Sequence, residues 1–281
     1  MAYSPTIRRR RLSKALLRFR HQAGLRADEV ARRLGWQASK VTRIERNEWK
    51  RPSVKDVLDL LDLYGVTDQA VREAMARLAS EARERGWWEE YKDVLGGALP
   101  EFEAEAARLH IFEALLIPGL LQTAAYAAAV FRGGQAVSPE LIDRRVQARL
   151  ARQVILERED PPALWVIIDE AALRKQVGGP GVMREQLEHL AAMATRPNID
   201  IQVIPDTFGA HAAMSGQFWI LEFESPDDPA LVYVETATGD LFVEDPYSVE
   251  RYMLRFNHVR GAALSPELSL EYIADLVKRL E

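Results

Sequence analysis

Four polar side chains between residues 39 and 43 are spaced so that one face of a short helix can present them to a binding partner. Val41 and Ile44 are the apolar residues of this segment, and their spacing of three predicts that they face inward. The residues around them then point outward, namely Ser39, Lys40, Thr42 and Arg43. Hydroxyl, ammonium and guanidinium groups donate hydrogen bonds to base edges and phosphate oxygens, so this face is suited to contact a nucleic acid.

A second set of reactive residue types lies on a predicted loop between two apolar strands. Asp206, His211 and Ser215 bring a carboxylate, an imidazole and a hydroxyl close together in the sequence. Catalytic triads are recognised by their geometry and not by nearness in sequence, so we predict no catalytic residue here. Because the loop is polar and flanked by glycine, we predict instead that it binds a ligand or a partner.

Other candidate chemistry is weaker. The absence of cysteine excludes disulfides, thiolate nucleophiles and cysteine-ligated metal centres. His110 and Glu113 would share one face of a predicted helix, but no second pair has the spacing that a metal site needs. The GGPG run at 178–181 lacks the lysine of a phosphate-binding loop and is expected to be a turn between helices. We therefore predict no metal, no cofactor and no enzymatic activity.

Four short helices must position the first set of residues. Their apolar residues recur at helical spacing, and Gly24 and Gly35 follow the first and second helices in the position of terminating glycines. Ser53 begins the fourth helix, with Asp56 three residues later in the arrangement of a capping box. We predict an all-α N-terminal domain at residues 1–80 and a second domain at residues 81–281.

The charge of the chain is strongly polarised. Residues 1–55 contain sixteen Lys and Arg against four Asp and Glu, a balance of +12, although the whole chain has a net charge of −5. A basic end of this kind is the expected footprint of a protein that binds a polyanionic duplex. The densest run is Arg8, Arg9, Arg10 and Arg11, which is either an arm that contacts DNA or a solvated tail.

The segment LRADEVARRLGWQASKVTRIERNEWKRP at 25–52 resembles the Xre family of helix-turn-helix regulators. The resemblance implies that the third helix enters the major groove of double-stranded DNA. It places Ala38, Ser39, Lys40 and Arg43 at base edges, where the planar fork of Arg43 can contact guanine O6 and N7 together. It places another group of residues near phosphates, namely Thr42, Arg46, Asn47, Lys50 and Arg51. This sequence departs from the family pattern at Ala27, where Gln is usual, and at Gln37, which is a weaker helix cap than Ser or Thr.

The second domain is predicted to be α+β with a mainly antiparallel sheet. Helices are predicted at 101–116, 120–131, 139–158, 170–177, 182–194, 246–260 and 266–280. Apolar segments at 164–169, 199–205, 216–223 and 231–236 are predicted strands. Most connections after residue 198 are too short for a crossover helix, which favours antiparallel pairing.

Several segments of the second domain resemble, in order, the C-terminal domain of actinobacterial WhiJ-like or Scr1 antitoxin-like regulators. They include IPGLLQT at 117–123, NIDIQVIP at 198–205, GAHAAMSGQFWILEF at 209–223 and DPALVYVET at 228–236. The resemblance implies an antitoxin-like transcriptional regulator whose small partner protein is encoded nearby.

Two hypotheses follow from the sequence. The first is a cytoplasmic, sequence-specific transcriptional regulator that binds a palindromic operator as a homodimer and is controlled through its second domain by a small protein or a ligand. The second is an enzyme or a protein-interaction module that the first domain recruits to DNA. No apolar run is long enough to span a bilayer, so no membrane association is expected.

Overall fold

The computed structural model describes residues 5–49, 51–83, 86–134, 138–225 and 228–280. The chain divides into two compact units, residues 1–89 and residues 90–281. Among the described residues, no helix is both long enough and apolar enough to cross a membrane.

The N-terminal unit consists of five helices whose ends are set by local sequence. They are α1 (Pro5–Gln22), α2 (Ala27–Arg33), α3 (Ala38–Glu45), α4 (Val54–Leu63) and α5 (Gln69–Glu81). The first four helices end in the same way. Two residues after the end of each helix lies a residue with a left-handed backbone. This backbone lets two main-chain amides donate to carbonyl groups of the last helical turn. The predicted ends at Gly24 and Gly35 and the Ser53 cap, whose hydroxyl accepts from the Asp56 amide, are confirmed.

The apolar faces of these helices meet in one core. Val41 and Ile44 of α3 are fully buried in it beside Leu12 and Leu16 of α1. Trp49 follows α3 and donates its indole N–H to the hydroxyl of Ser13 at 3.1 Å. The core therefore holds the inner face of α3 against α1, and the opposite face of α3 is left exposed.

Asn47 ends α3 and is the one non-glycine residue with a positive φ, +58°, in the part of the chain that the structure describes. We expect Asn47→Ala to lower the free energy of unfolding of the N-terminal unit by about 1 kcal/mol, because alanine tolerates the left-handed region poorly. Asn47→Gly should be neutral or stabilising, since glycine adopts this backbone without steric cost. Thermal unfolding of the two variants beside the wild type measures the difference, and equal midpoints for both would contradict the prediction.

The C-terminal unit is built around one mixed sheet of six strands. The strands are β1 (Ala106–Glu113), β2 (Ala163–Asp169), β3 (Ile199–Ile204), β4 (Phe218–Phe223), β5 (Leu231–Thr236) and β6 (Gly239–Val243), in the order β3-β2-β1-β4-β5-β6. The pairs β1–β2 and β2–β3 are parallel, whereas β1–β4, β4–β5 and β5–β6 are antiparallel. The predicted mainly antiparallel sheet is thus only partly right, because helices in the connections before β2 and β3 carry the chain back and allow parallel pairing.

The prediction of a helix at 101–116 is wrong for most of its length. Only α6 (Leu99–Glu103) is helical, and Ala106–Glu113 is β1, the strand that joins the parallel and antiparallel halves of the sheet. The sequence AARLHIFE contains good helix formers, and a strand buried on both faces does not show the apolar alternation that identifies a half-exposed one.

Helices cover the sheet and close one of its edges. They are α7 (Ala124–Gly134), α8 (Pro139–Gln153), α9 (Glu170–Arg174), α10 (Pro180–Met193), α11 (Pro246–Ala262) and α12 (Pro266–Lys278). Phe256 and Val259 of α11 pack on a sheet face that includes Phe112, Ile167 and Phe218. At the β3 edge, the Val203 carbonyl accepts from the Leu264 amide and the Val203 amide donates to the Ser269 hydroxyl, so the chain after α11 satisfies both main-chain groups of this residue.

Candidate functional site

The outer face of α3 is the candidate nucleic-acid interface. Ala38, Ser39 and Arg43 are exposed, on the side of the helix opposite the buried Val41 and Ile44. Gln37 caps α3 without a side-chain hydrogen bond, and its main-chain carbonyl accepts from the Lys40 amide at 2.9 Å. Exposed donors on a helix whose inner face is fixed have the arrangement that groove recognition needs.

Lys40 is held by its own domain. Its ammonium group lies 2.8 Å from a carboxylate oxygen of Asp56 and 3.8 Å from the ring centroid of Trp36. An ammonium group in these two contacts must leave Asp56, or share it, before it can bind a base. The structure therefore places Lys40 on the correct face but in a different setting from that of the exposed Arg43.

The predicted phosphate-contacting residues lie around the end of α3. Arg46 and Arg51 are exposed, whereas Thr42 and Asn47 are half-buried. Asn47 also ends the helix through its backbone. Lys50 lies outside the described residues.

The run of four arginines lies within α1. Arg8 and Arg10 are buried, and Arg9 and Arg11 are half-buried. The guanidinium of Arg8 contacts the carboxylate of Glu81 at 3.3 Å and donates to the Glu81 main-chain carbonyl at 3.2 Å. At least this first arginine joins α1 to the end of α5.

A buried ion pair joins α1 to α3. Arg20 donates to both carboxylate oxygens of Glu45, at 2.6 and 3.0 Å, and its remaining nitrogen donates to the Leu25 carbonyl at 2.7 Å. Only 12% of the Arg20 side chain and 8% of the Glu45 side chain are exposed. Hydrogen bonding to Glu45 raises the pKa of Arg20. The planar two-bond geometry adds a directional constraint on α3 to that of the apolar packing.

The three residues of the predicted ligand loop each have a different partner. Asp206 pairs with Arg174 at 2.8 Å, and the Ser215 hydroxyl accepts from Arg255 at 2.8 Å. The side chain of His211 is buried, with Nε2 3.3 Å from a carboxylate oxygen of Asp169 and Nδ1 accepting from the Ala213 amide. Among the described residues the structure brings no two of these three into hydrogen-bond contact, so they do not form a triad.

His110 and Glu113 lie on a strand and not on a helix. They are three positions apart in β1, so their side chains point to opposite faces of the sheet, and the shared helical face that the sequence suggested does not exist. His110 lies between Trp165 and Phe256 on the α11 side. Glu113 lines a cavity on the other face.

This cavity has a volume of about 840 Å³ within the C-terminal unit. Its walls come from the loop at 94–97, from α6, the end of β1, the IPGLLQT segment, α7, α8 and strands β4 to β6. Glutamine side chains hold IPGLLQT in place. Gln153 donates to the Gly119 and Gln122 carbonyls, Gln186 donates to the Leu121 carbonyl, and Gln122 donates to the Ile117 carbonyl, all at 2.7–3.0 Å.

Two charged groups in the cavity have strongly shifted pKa values. Burial raises the pKa of the Glu113 carboxyl to about 7, although its hydrogen bond from the Trp219 indole, at 2.8 Å, opposes the shift. Burial lowers the pKa of the Arg149 guanidinium to about 10, with the charge of Arg152 acting in the same direction. Desolvated groups of this kind in a cavity are typical of binding sites.

Sequence reasoning missed the cavity because its polar residues are scattered along the chain. Glu113, Gln122, Arg149, Trp219 and Tyr233 come from five separate segments that only the fold brings together. One segment that lines the cavity, IPGLLQT, does stand out in the sequence. It contains no residue type that indicates chemistry, so it did not identify the site.

Comparisons with known proteins give two family matches. Residues 11–75 match a helix-turn-helix domain, a fold that binds DNA and is typical of transcriptional regulators. No curated protein and no solved structure matches the chain. Residues 97–275, which are more than half of the chain, match a domain of unknown function, DUF5753. The chain therefore belongs to the DUF5753 family.

Proposed function

We propose that the protein is a sequence-specific, DNA-binding transcriptional regulator of the Xre type. The observation that carries this proposal is the geometry of α3, whose outer face presents Ser39 and Arg43 to solvent while its inner face is buried. The Arg20–Glu45 ion pair joins α3 to α1 and so holds α3 in place. A rigid helix with an exposed donor face is what a major-groove reader requires.

The family match and the charge support the same conclusion. The helix-turn-helix match at 11–75 includes all of α2, α3 and α4 together with most of α1. The balance of +12 over residues 1–55 supplies the electrostatic attraction to phosphates that drives most protein–DNA association. We assign base contacts to Ala38, Ser39, Lys40 and Arg43, and phosphate contacts to residues at the end of α3 and just after it.

The finer proposal is an antitoxin-like homodimer. A single recognition helix buries little surface, so two copies reading successive major grooves about 34 Å apart would supply the specificity that a genome requires. Control would come through the C-terminal unit, from a small partner protein encoded nearby or from a ligand. We propose no catalytic activity, because Asp206, His211 and Ser215 are each held by other residues.

We expect Arg43→Ala to cost about 1–3 kcal/mol in operator binding and to relax the preference at one base pair, because a bidentate base contact is lost. Arg51→Ala should weaken binding to all sequences alike, because one phosphate contact is lost. The slope of the logarithm of the binding constant against the logarithm of the salt concentration should become shallower by about one unit. The measurement is selection of bound sequences from a random DNA library at near-physiological salt, followed by titration of the selected site.

Two outcomes would contradict the proposal. If the wild-type protein enriches no sequence, the basic unit binds DNA without specificity. If both variants weaken every sequence equally, Arg43 does not read a base. Glu188→Ala, an exposed change on α10 of the C-terminal unit, is the control and should leave selection unchanged. An enriched inverted repeat would support the homodimer.

A further inference from the structure

The cavity of the C-terminal unit is large enough for a small organic molecule. Its volume of about 840 Å³ lies within the range of about 300–1,000 Å³ in which proteins bind small molecules. The IPGLLQT wall is fixed by hydrogen bonds from Gln122, Gln153 and Gln186, so the protein's own side chains hold this wall in place. A fixed wall lowers the entropic cost of binding.

Two arginines on successive turns of α8 face this cavity. Arg145 and Arg149 line it and both lie over the ring of Phe131, with guanidinium carbons 5.8 and 5.1 Å from its centroid. Arg149 donates to the side-chain oxygen of Gln122 at 3.0 Å. Within the described residues, neither arginine has a carboxylate within 4.0 Å, so their charge is not neutralised by an ion pair.

Gly119 allows Arg149 to lie against the wall. A Cβ at this position would come within 2.6 Å of a guanidinium nitrogen of Arg149. The absent side chain therefore leaves the guanidinium beside the fixed IPGLLQT backbone, with part of its surface on the cavity.

Other charged groups of the cavity are already satisfied. Arg152 forms a buried two-bond pair with Glu103, at 2.6 and 3.0 Å. Asp240 accepts from the Tyr233 hydroxyl at 2.9 Å. Two further carboxyl groups line the cavity, that of Glu113, which accepts from the Trp219 indole, and that of Glu235. They would repel a ligand that carries several negative charges, so the cavity favours a ligand with a single negative charge.

We propose that this cavity binds an organic monocarboxylate, with the ligand carboxylate paired to Arg149 and Arg145 and an apolar or aromatic body packed against Trp219, Tyr233 and Phe242. Guanidinium groups bind carboxylates through two parallel hydrogen bonds, and aromatic rings supply the large apolar contact area. The site lies within the C-terminal unit, and its ligand class goes beyond the proposed function. A free acid and the carboxyl terminus of a peptide would present the same chemistry.

The test compares acids with their uncharged amides on the full-length protein by calorimetry at pH 7.5. The probes are phenylacetate, indole-3-acetate and hexanoate, each beside its primary amide. We expect at least one acid to bind about tenfold more tightly than its amide, because the amide loses the charge-assisted pair. Acetyl-Leu-Phe beside its C-terminal amide tests a peptide source in the same way. If no acid in any pair binds more tightly than its amide, the proposal is overturned.

Two variants test whether Arg149 causes the preference for an acid over its amide. Arg149→Met should abolish the difference between acid and amide, and Arg149→Lys should retain part of it, because a lysine keeps the charge but not the planar fork. Arg184→Met is the matched control, since Arg184 lies on α10 and does not line the cavity. Circular dichroism verifies folding, and if Arg149→Met fails to fold, the comparison rests on Arg149→Lys. An unchanged acid preference in a folded Arg149 variant would overturn the assignment.

Discussion

Glu45→Ala should destabilise the N-terminal unit by about 3–5 kcal/mol, because it leaves the buried guanidinium of Arg20 without its counter-charge. Small domains have a stability of only about 5–15 kcal/mol, so this loss is a large share of the total. The same change should abolish DNA binding, since α3 loses the contact that orients it. Glu48→Ala, an exposed change just after α3, should have little effect on stability.

Hydrogen exchange of the full-length protein measures this effect unit by unit. Peptides from α1 to α4 should exchange faster in Glu45→Ala, while peptides from the six-stranded sheet should not change. The double variant Arg20→Met with Glu45→Leu should recover much of the loss, because apolar side chains of similar volume often replace a buried pair without cost. If Glu45→Ala leaves exchange in α1 and α3 unchanged, the pair does not stabilise the unit.

Glu113→Gln should stabilise the C-terminal unit at pH 8 by up to about 3 kcal/mol and should have little effect near pH 4.5. The pKa of Glu113 is raised from its ordinary value of 4.5 to about 7 by burial. One pKa unit corresponds to about 1.4 kcal/mol. Between these two values the unfolded chain loses the proton while the folded protein keeps it, so this group lowers stability as the pH rises. Above about pH 7 the loss is complete and constant.

Urea unfolding at pH 5 and pH 8, followed through tryptophan fluorescence, tests the prediction, because Trp219 donates to Glu113. The difference in stability between Glu113→Gln and the wild type should grow with pH. Glu188→Gln, an exposed change on α10, is the matched control and should show no such growth. A difference that is the same at both pH values would show that the carboxyl is not desolvated.

The sequence predicts the N-terminal unit well because its signals are local. Gly24, Gly35 and Ser53 fix helix ends through their own backbone or hydroxyl chemistry, and each acts within a few residues. The inward direction of Val41 and Ile44 follows from helical spacing alone, and burial confirms it. The same reasoning does not reveal that Lys40 pairs with Asp56, since that contact depends on how α4 packs.

The C-terminal unit is predicted less well because its organisation is non-local. The position of β1 between β2 and β4 depends on pairing with residues more than fifty positions away, and AARLHIFE on its own favours a helix. The cavity depends on the same pairing, since β1 places Glu113 opposite side chains of α8. A local pattern cannot identify a site whose residues meet only after the sheet has formed.

The two edges of the sheet differ, and this limits how copies could join through their strands. At β3, the segment after α11 occupies the main-chain groups of Val203. At β6, no described main-chain segment hydrogen-bonds to the outer side of the strand. An open strand edge is a template for another strand, and fibres grow when both edges of a sheet are available. Because the main-chain groups of Val203 are already bonded, a strand from another copy could not pair along the whole of β3, which hinders growth of a fibre through both edges of this sheet.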